Sequence, residues 1–176
     1  MTGTTAFTVL ILLVGLERLA ELVVSKRNLR WSMARGGQEF GRGHYPAMVL
    51  LHTGLLVGAL VEVHVAHREM IPALAVAMLG LVVAAQALRW WCIISLGPRW
   101  NTRIVIVPGL PRVTRGPYRW MAHPNYVAVV VEGFALPLVG SAWITAVCFT
   151  VLNAVLLTVR IRAEDAALGL LPVRAQ

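Results

Sequence analysis

The chain has 176 residues, 58% of them hydrophobic and 14% charged, with a mean hydropathy of +0.72. A soluble domain would be about 45–50% apolar and about a quarter charged, so the composition excludes a disordered chain and argues against an ordinary soluble globule. The formal net charge of +8 would point a soluble protein toward nucleic acid, but here the basic residues gather in loops beside apolar runs, as membrane topology requires, and no nucleic-acid partner is expected.

The first apolar run covers about residues 5–24, long enough to cross a hydrocarbon core of about 30 Å. No basic stretch precedes it and no small-residue cleavage site follows, so it reads as a span rather than a cleaved signal. Its second half carries Glu17, Arg18 and Glu21, spaced to pair with one another and expected to face protein rather than lipid. Ser25 to Tyr45, basic and glycine-rich, reads as part loop and part interfacial helix, ending in a helix start at His44-Tyr45-Pro46. A second span, about 46–65, holds His52 and Glu62, read as interhelical hydrogen-bonders or rim residues. A short turn leads to a third span, about 73–96, which should pack antiparallel to the second.

Residues 97–125 are the least hydrophobic part of the chain, with Ile104 to Val107 a candidate short strand. Two more apolar segments follow, about 126–138 and 143–159, the first of them short for a full crossing. Trp90, Trp91, Trp100 and Trp120 sit near span ends as an aromatic belt. Cys92 and Cys148 lie in apolar runs without metal spacing and read as core residues. Lys26 is the single lysine, a bias expected of a GC-rich genome. The loops after spans one and three carry five Lys or Arg each and the tail three, whereas the opposite side has Arg68 alone. Basic residues concentrate in the cytoplasm, so both large loops and the C-terminus should lie there. The expected architecture is a single all-α integral membrane domain, residues 1–176, of about five transmembrane helices, with its catalytic half at about 97–176.

No zinc pattern, phosphate-binding glycine loop, dinucleotide fingerprint or nucleophile-base arrangement is present, and no metal is expected. Arg115 to Tyr126 concentrates two tyrosines, a histidine, an asparagine and two arginines at the entry to span four. A headgroup interface also selects such residues. His123-Pro124, however, is a rigid helix start that sets His123, Asn125 and Tyr126 beside free backbone N–H groups, a site suited to a carboxylate or ribose. At the end of span five, Arg160 and Glu164 share a helix face, as a surface ion pair would. Spans four and five form a hairpin, so both clusters converge on one membrane face. Glu132, ionisable and inside span four, is a further functional candidate.

At these residues, GPYRWMAHPNY from Gly116 and RIRAE from Arg160, the sequence resembles the isoprenylcysteine carboxyl methyltransferase family of membrane enzymes. That family's pattern is G-x-Y, R-H-P-x-Y and, on the last helix, R-x-x-x-E; the resemblance covers roughly the C-terminal half. Ala122 stands where the family usually has arginine, with Arg115 and Arg119 the nearby cations. The resemblance implies S-adenosylmethionine as methyl donor, in a cytoplasmic pocket formed by the loop after span three, spans four and five and the C-terminal helix. It implies cofactor contacts from Leu110, Pro111, Arg112 and Val113 through their backbone, and from Tyr118, His123, Pro124, Asn125, Tyr126 and Glu164. Arg160 and Glu164 would be the catalytic pair, with Arg160 orienting the acceptor and Glu132 beside it on the substrate side.

Methyl transfer from a sulfonium needs approach geometry and a charge-matched pocket rather than a metal. The expected function is transfer to an oxygen of a lipophilic small molecule, a carboxylate or a phenolic or enolic hydroxyl. A phenol with a pKa near 10 needs a base, for which His123 and Glu132 are candidates. Prenylated protein carboxylates, phospholipid amines and a non-enzymatic scaffold or carrier are the alternatives.

Overall fold

The computed structural model describes residues 2–170. Helices dominate: α1 Thr2–Met33, α2 Tyr45–Val65, α3 Pro72–Leu96, α4 Pro124–Val139 and α5 Trp143–Leu170. Two short strands, β1 Gln38–Phe40 and β2 Ile104–Ile106, pair antiparallel with Glu39 opposite Val105. The strand expected at Ile104 is therefore present, and its partner lies in the stretch after α1.

Among the described residues, three helices are long and apolar enough to cross a membrane: α2 with its 3-10 lead-in, α3 and α5. The 16 residues of α4 extend about 24 Å, short of a hydrocarbon core of about 30 Å. At 32 residues α1 is long enough, but its middle is charged. Those charges face protein. Arg18 bonds Glu21 at 2.8 Å, and its other amino group reaches Gln86 of α3 at 2.8 Å and Glu132 of α4 at 3.0 Å. Arg89 of α3 pairs with Glu132 and lies 3.7 Å from Glu21. A buried carboxylate without its cation would be strongly destabilising, so this cluster fixes the mutual rotation of α1, α3 and α4.

Helix α1 runs nine residues beyond the expected span end. Ser25, Asn28 and Ser32, buried and at helical spacing, make a polar stripe that faces protein. The helix stops at Gly36, whose φ of +75° is the left-handed cap conformation. Gly36 N donates to Met33 O and Gly37 N to Ser32 O, satisfying two terminal carbonyls.

At one end of the bundle the helices share an apolar core of Phe7, Ile11 and Val14 from α1, Ala59 and Val63 from α2, Ala75 and Val82 from α3, and Ala135, Leu136 and Val139 from α4. The main neighbour of α3 is α4, and that of α2 is α5, despite the short turn joining α2 to α3. Helix α1 supplies the large side chains that meet the alanine-rich faces of both. The α4–α5 turn is buried here too; a Cβ on Gly140 would come 2.8–2.9 Å from Val63 and Phe7. Glu62 accepts hydrogen bonds from Ile144 N at 3.1 Å and Thr145 N at 2.8 Å. It thus caps α5 from a different helix, while Arg68 holds its carboxylate at 3.0 Å. The interhelical role expected of Glu62 is observed, whereas His52 bonds Met48 O in its own helix and sets its ring edge-on to Phe149.

Two expectations, for Trp100 and Cys148, are corrected. Trp100 is buried rather than part of a belt, because Asn28 reaches over to bond its carbonyl at 2.8 Å. Cys148 is exposed on α5, while Cys92 is buried as expected.

Candidate functional site

The segment between α3 and α4 has little regular structure, so its backbone polar groups need partners from elsewhere. Helix α1 supplies several. Asn28 Nδ2 donates to Trp100 O and, at 3.2 Å, to Gly97 O, and Thr102 N donates to Ser25 Oγ at 3.0 Å. Further on, Arg115 Nε donates to Ser95 O at 2.9 Å, pinning the 3-10 turn Gly116–Arg119 to the end of α3. Gly116 adopts a φ of +58°, and a Cβ there would stand 2.1 Å from Ser95 Oγ. Only glycine lets the chain approach so closely. The turn sets the Tyr118 hydroxyl against the Cys92 thiol; burial first and that thiol second push the phenol well above its ordinary range, so Tyr118 stays a neutral donor.

Pro124 opens α4 with its missing N–H in the first turn, where no helical bond is lost. His123, just before it, stacks on the Tyr126 ring with centroids 5.3 Å apart, and its Nε2 lies 3.0 Å from Asp165 Oδ1 of α5. The Tyr126 hydroxyl donates to Glu164 and accepts from Arg160 Nε at 3.0 Å. Arg160, buried, also donates to Thr102 O at 2.7 Å and contacts Met48 Sδ at 3.2 Å. One phenol thus stands between a guanidinium and a carboxylate that lie one turn apart on α5. A planar guanidinium can serve several acceptors at fixed angles, which is what this position demands.

These groups open onto a cavity of about 330 Å³ at the end of the bundle away from Phe7. Of the residues singled out from sequence, Leu110, Pro111, Arg112, Val113, Tyr118, His123, Asn125, Tyr126, Arg160 and Glu164 line it. Pro124 is buried behind the wall rather than on it, and Glu132 does not line the cavity, being committed to Arg18 and Arg89. Ala122 is on the wall, and the cation beside it is Arg112, which donates to its carbonyl at 3.3 Å; Arg115 is turned away to α3. Asn101 and Thr102 carry no sequence signature, while Asp165 stands in the charged cluster with Arg160 and Glu164 at the end of span five. Asn101 and Asn125 both line the cavity, and the Oδ1 of each is buried without a hydrogen-bond partner. Two such acceptors, a carboxylate and a volume at the small end of ligand pockets fit an amino-bearing, positively charged donor such as S-adenosylmethionine.

Comparison with known proteins matches residues 78–169 to the model described as the isoprenylcysteine carboxyl methyltransferase (ICMT) family. The chain is 38% identical over 162 residues to the uncharacterized protein YpbQ of Bacillus subtilis (strain 168), covering 92% of this chain and 96% of that one. It is also 24% identical over 155 residues to an uncharacterized protein of Haemophilus influenzae, covering 86% and 88%.

Proposed function

The chain belongs to the isoprenylcysteine carboxyl methyltransferase family of membrane methyltransferases, and from that premise we propose that it transfers a methyl group from S-adenosylmethionine to an oxygen of a lipophilic small molecule. The observation that carries this reading is the chain Arg160–Tyr126–Glu164 on the cavity wall, which supplies opposite charges to donor and acceptor within one site. When bound, the cofactor supplies a methyl group activated on a sulfonium, passed to the acceptor oxygen by in-line displacement.

The chain's own residues do the rest. Glu164 offers a carboxylate to the donor's positive charge, and Asn101 and Asn125 offer acceptors to its N–H groups. His123, tied to Asp165, stacks on Tyr126 and keeps that phenol turned toward α5. Arg160 presents its guanidinium to an anionic acceptor oxygen, so that the two reacting atoms meet in line. An acceptor that arrives already ionised, a carboxylate or an acidic enol, needs no further base. Glu132, held between two arginines, is a structural counter-ion in this reading and lies outside the acceptor site.

The charge bias of the loops supports five crossings with the cavity on the cytoplasmic side, α1 turning its charges toward protein and the short α4 being accommodated by local thinning of the bilayer. Binding of S-adenosylmethionine to the detergent-purified full-length protein tests the proposal. His123→Ala should weaken it roughly 10-fold or more, as expected for loss of a hydrogen bond to a charged group. A folded protein that binds no S-adenosylmethionine would instead be a scaffold or carrier.

A further inference from the structure

Beside the cavity, on the other side of the Leu110–Val113 wall, a second concavity of about 480 Å³ runs between the last turn of α1 and the end of α3. We infer that this groove binds the anionic headgroup of a membrane phospholipid. Four arginines line it: Arg35, Arg99, Arg112 and Arg115. Each is steadied by a backbone carbonyl: Arg35 by Trp31 O at 3.3 Å, Arg99 by Pro111 O at 2.6 Å, Arg112 by Ala122 O and Arg115 by Ser95 O. Among the described residues none of the four is paired with a carboxylate, whereas Arg18, Arg42, Arg68, Arg89 and Arg103 all are. The groove thus gathers unneutralised guanidinium groups that are already oriented and keep most of their donors free. Like charges held together are offset by an anion, and a phosphodiester oxygen suits the guanidinium fork.

The floor is apolar: Trp31, stacked under Arg35 at 4.2 Å, with Leu96 and Leu110. The apolar stretch of α3 ends at this level, where headgroups and aromatic side chains meet. A free polyanion would have no use for that floor; a phospholipid matches both parts. The inference does not depend on which acceptor is methylated.

The test is the lipid retained by purified full-length protein from an equimolar mixture of phosphatidylglycerol and phosphatidylcholine, counted by native mass spectrometry. The wild type should prefer phosphatidylglycerol. The double variant Arg35→Gln, Arg115→Gln should lose about fivefold of that preference for each charge removed. A control pair, Lys26→Gln with Arg27→Gln, removes the same charge earlier on α1, outside the groove, and should leave the preference intact. No preference in the wild type overturns the proposal, and that measurement needs no variant to fold. Equal losses in both pairs overturn it in favour of a diffuse surface potential. Binding of inorganic phosphate without any lipid preference overturns it in favour of a free anion. Cofactor affinity, measured on the same samples, reports separately on the methyltransferase reading.

Discussion

The two ends of the helix bundle use the same five helices by different rules. Around Phe7 the helices meet through shape: alanines at positions 59, 135 and 142 are fully buried, and Gly140 leaves no room for a side chain between Val63 and Phe7. The connection there is a three-residue turn between α4 and α5. Around Arg160 the helices part, and the space is filled by an irregular segment between α3 and α4 whose carbonyls are met by Asn28, Arg99, Arg112 and Arg160. A close-packed end holds the helices together so that the other end can stay open and polar. The site is thus a place where side chains serve backbone, and its precision rests on hydrogen-bond angles rather than on volume.

Substitutions can break that contrast, beginning with the largest expected effect. Arg160→Lys keeps the charge but loses the planar fork that spans Tyr126 and Thr102. Turnover should fall about 100-fold while the protein remains folded. Normal turnover would make Arg160 an anchor for the end of α5. At the opposite end, Gly133→Ala puts a Cβ 1.9 Å from the Phe149 ring. Overpacking of this kind should cost about 2 kcal/mol, read as a lowered thermal midpoint in detergent with cofactor affinity unchanged in the folded fraction. An unchanged midpoint would show that α4 and α5 are not close-packed there.

Tyr126→Phe removes only the hydroxyl between Arg160 and Glu164, and S-adenosylmethionine affinity should fall about tenfold. Equal affinity would mean that the phenol's ring, not its hydroxyl, organises the wall. The smallest effect is expected of Glu62→Gln, which keeps the shape of the α5 cap and removes its charge. About 1 kcal/mol of stability should be lost, a smaller midpoint shift than that of Gly133→Ala.

The apolar end was readable because long hydrophobic runs announce themselves: α2 and α3 fall on the runs about 46–65 and 73–96, whereas α5 continues to Leu170, well past the end of its apolar run at about 159. The end of α1 was not. Ser25, Asn28 and Ser32 look like loop composition, yet their spacing of three and four residues is helical, and Gly36-Gly37 is a stop signal. Period rather than composition was the informative quantity. At the site, His123, Tyr126, Arg160 and Glu164 were legible because each sits in a short motif and one hairpin brings the motifs together. Asn101 and Thr102 carry no such signature; Thr102 matters through its carbonyl, which any residue would have. Glu132 was recognisable as a buried ionisable group, but its partners come from α1 and α3, far away in sequence. Distant pairing of that kind leaves no mark in a single chain.

Helix α5 is fixed at one end by the Glu62 carboxylate and at the other by the bonds of Arg160 and Glu164. Between those two fixings it acts as a shaft whose angular phase is set. Inserting one residue there would turn everything downstream by about 100° and advance it by about 1.5 Å. The charged pair would then face away from Tyr126 without any change in composition. A seven-residue insertion would nearly restore the angle, within about 20°, but carry the pair about 10 Å past the cavity. The number of residues between Thr145 and Arg160 is therefore as much a part of the site as the residues that touch the cavity.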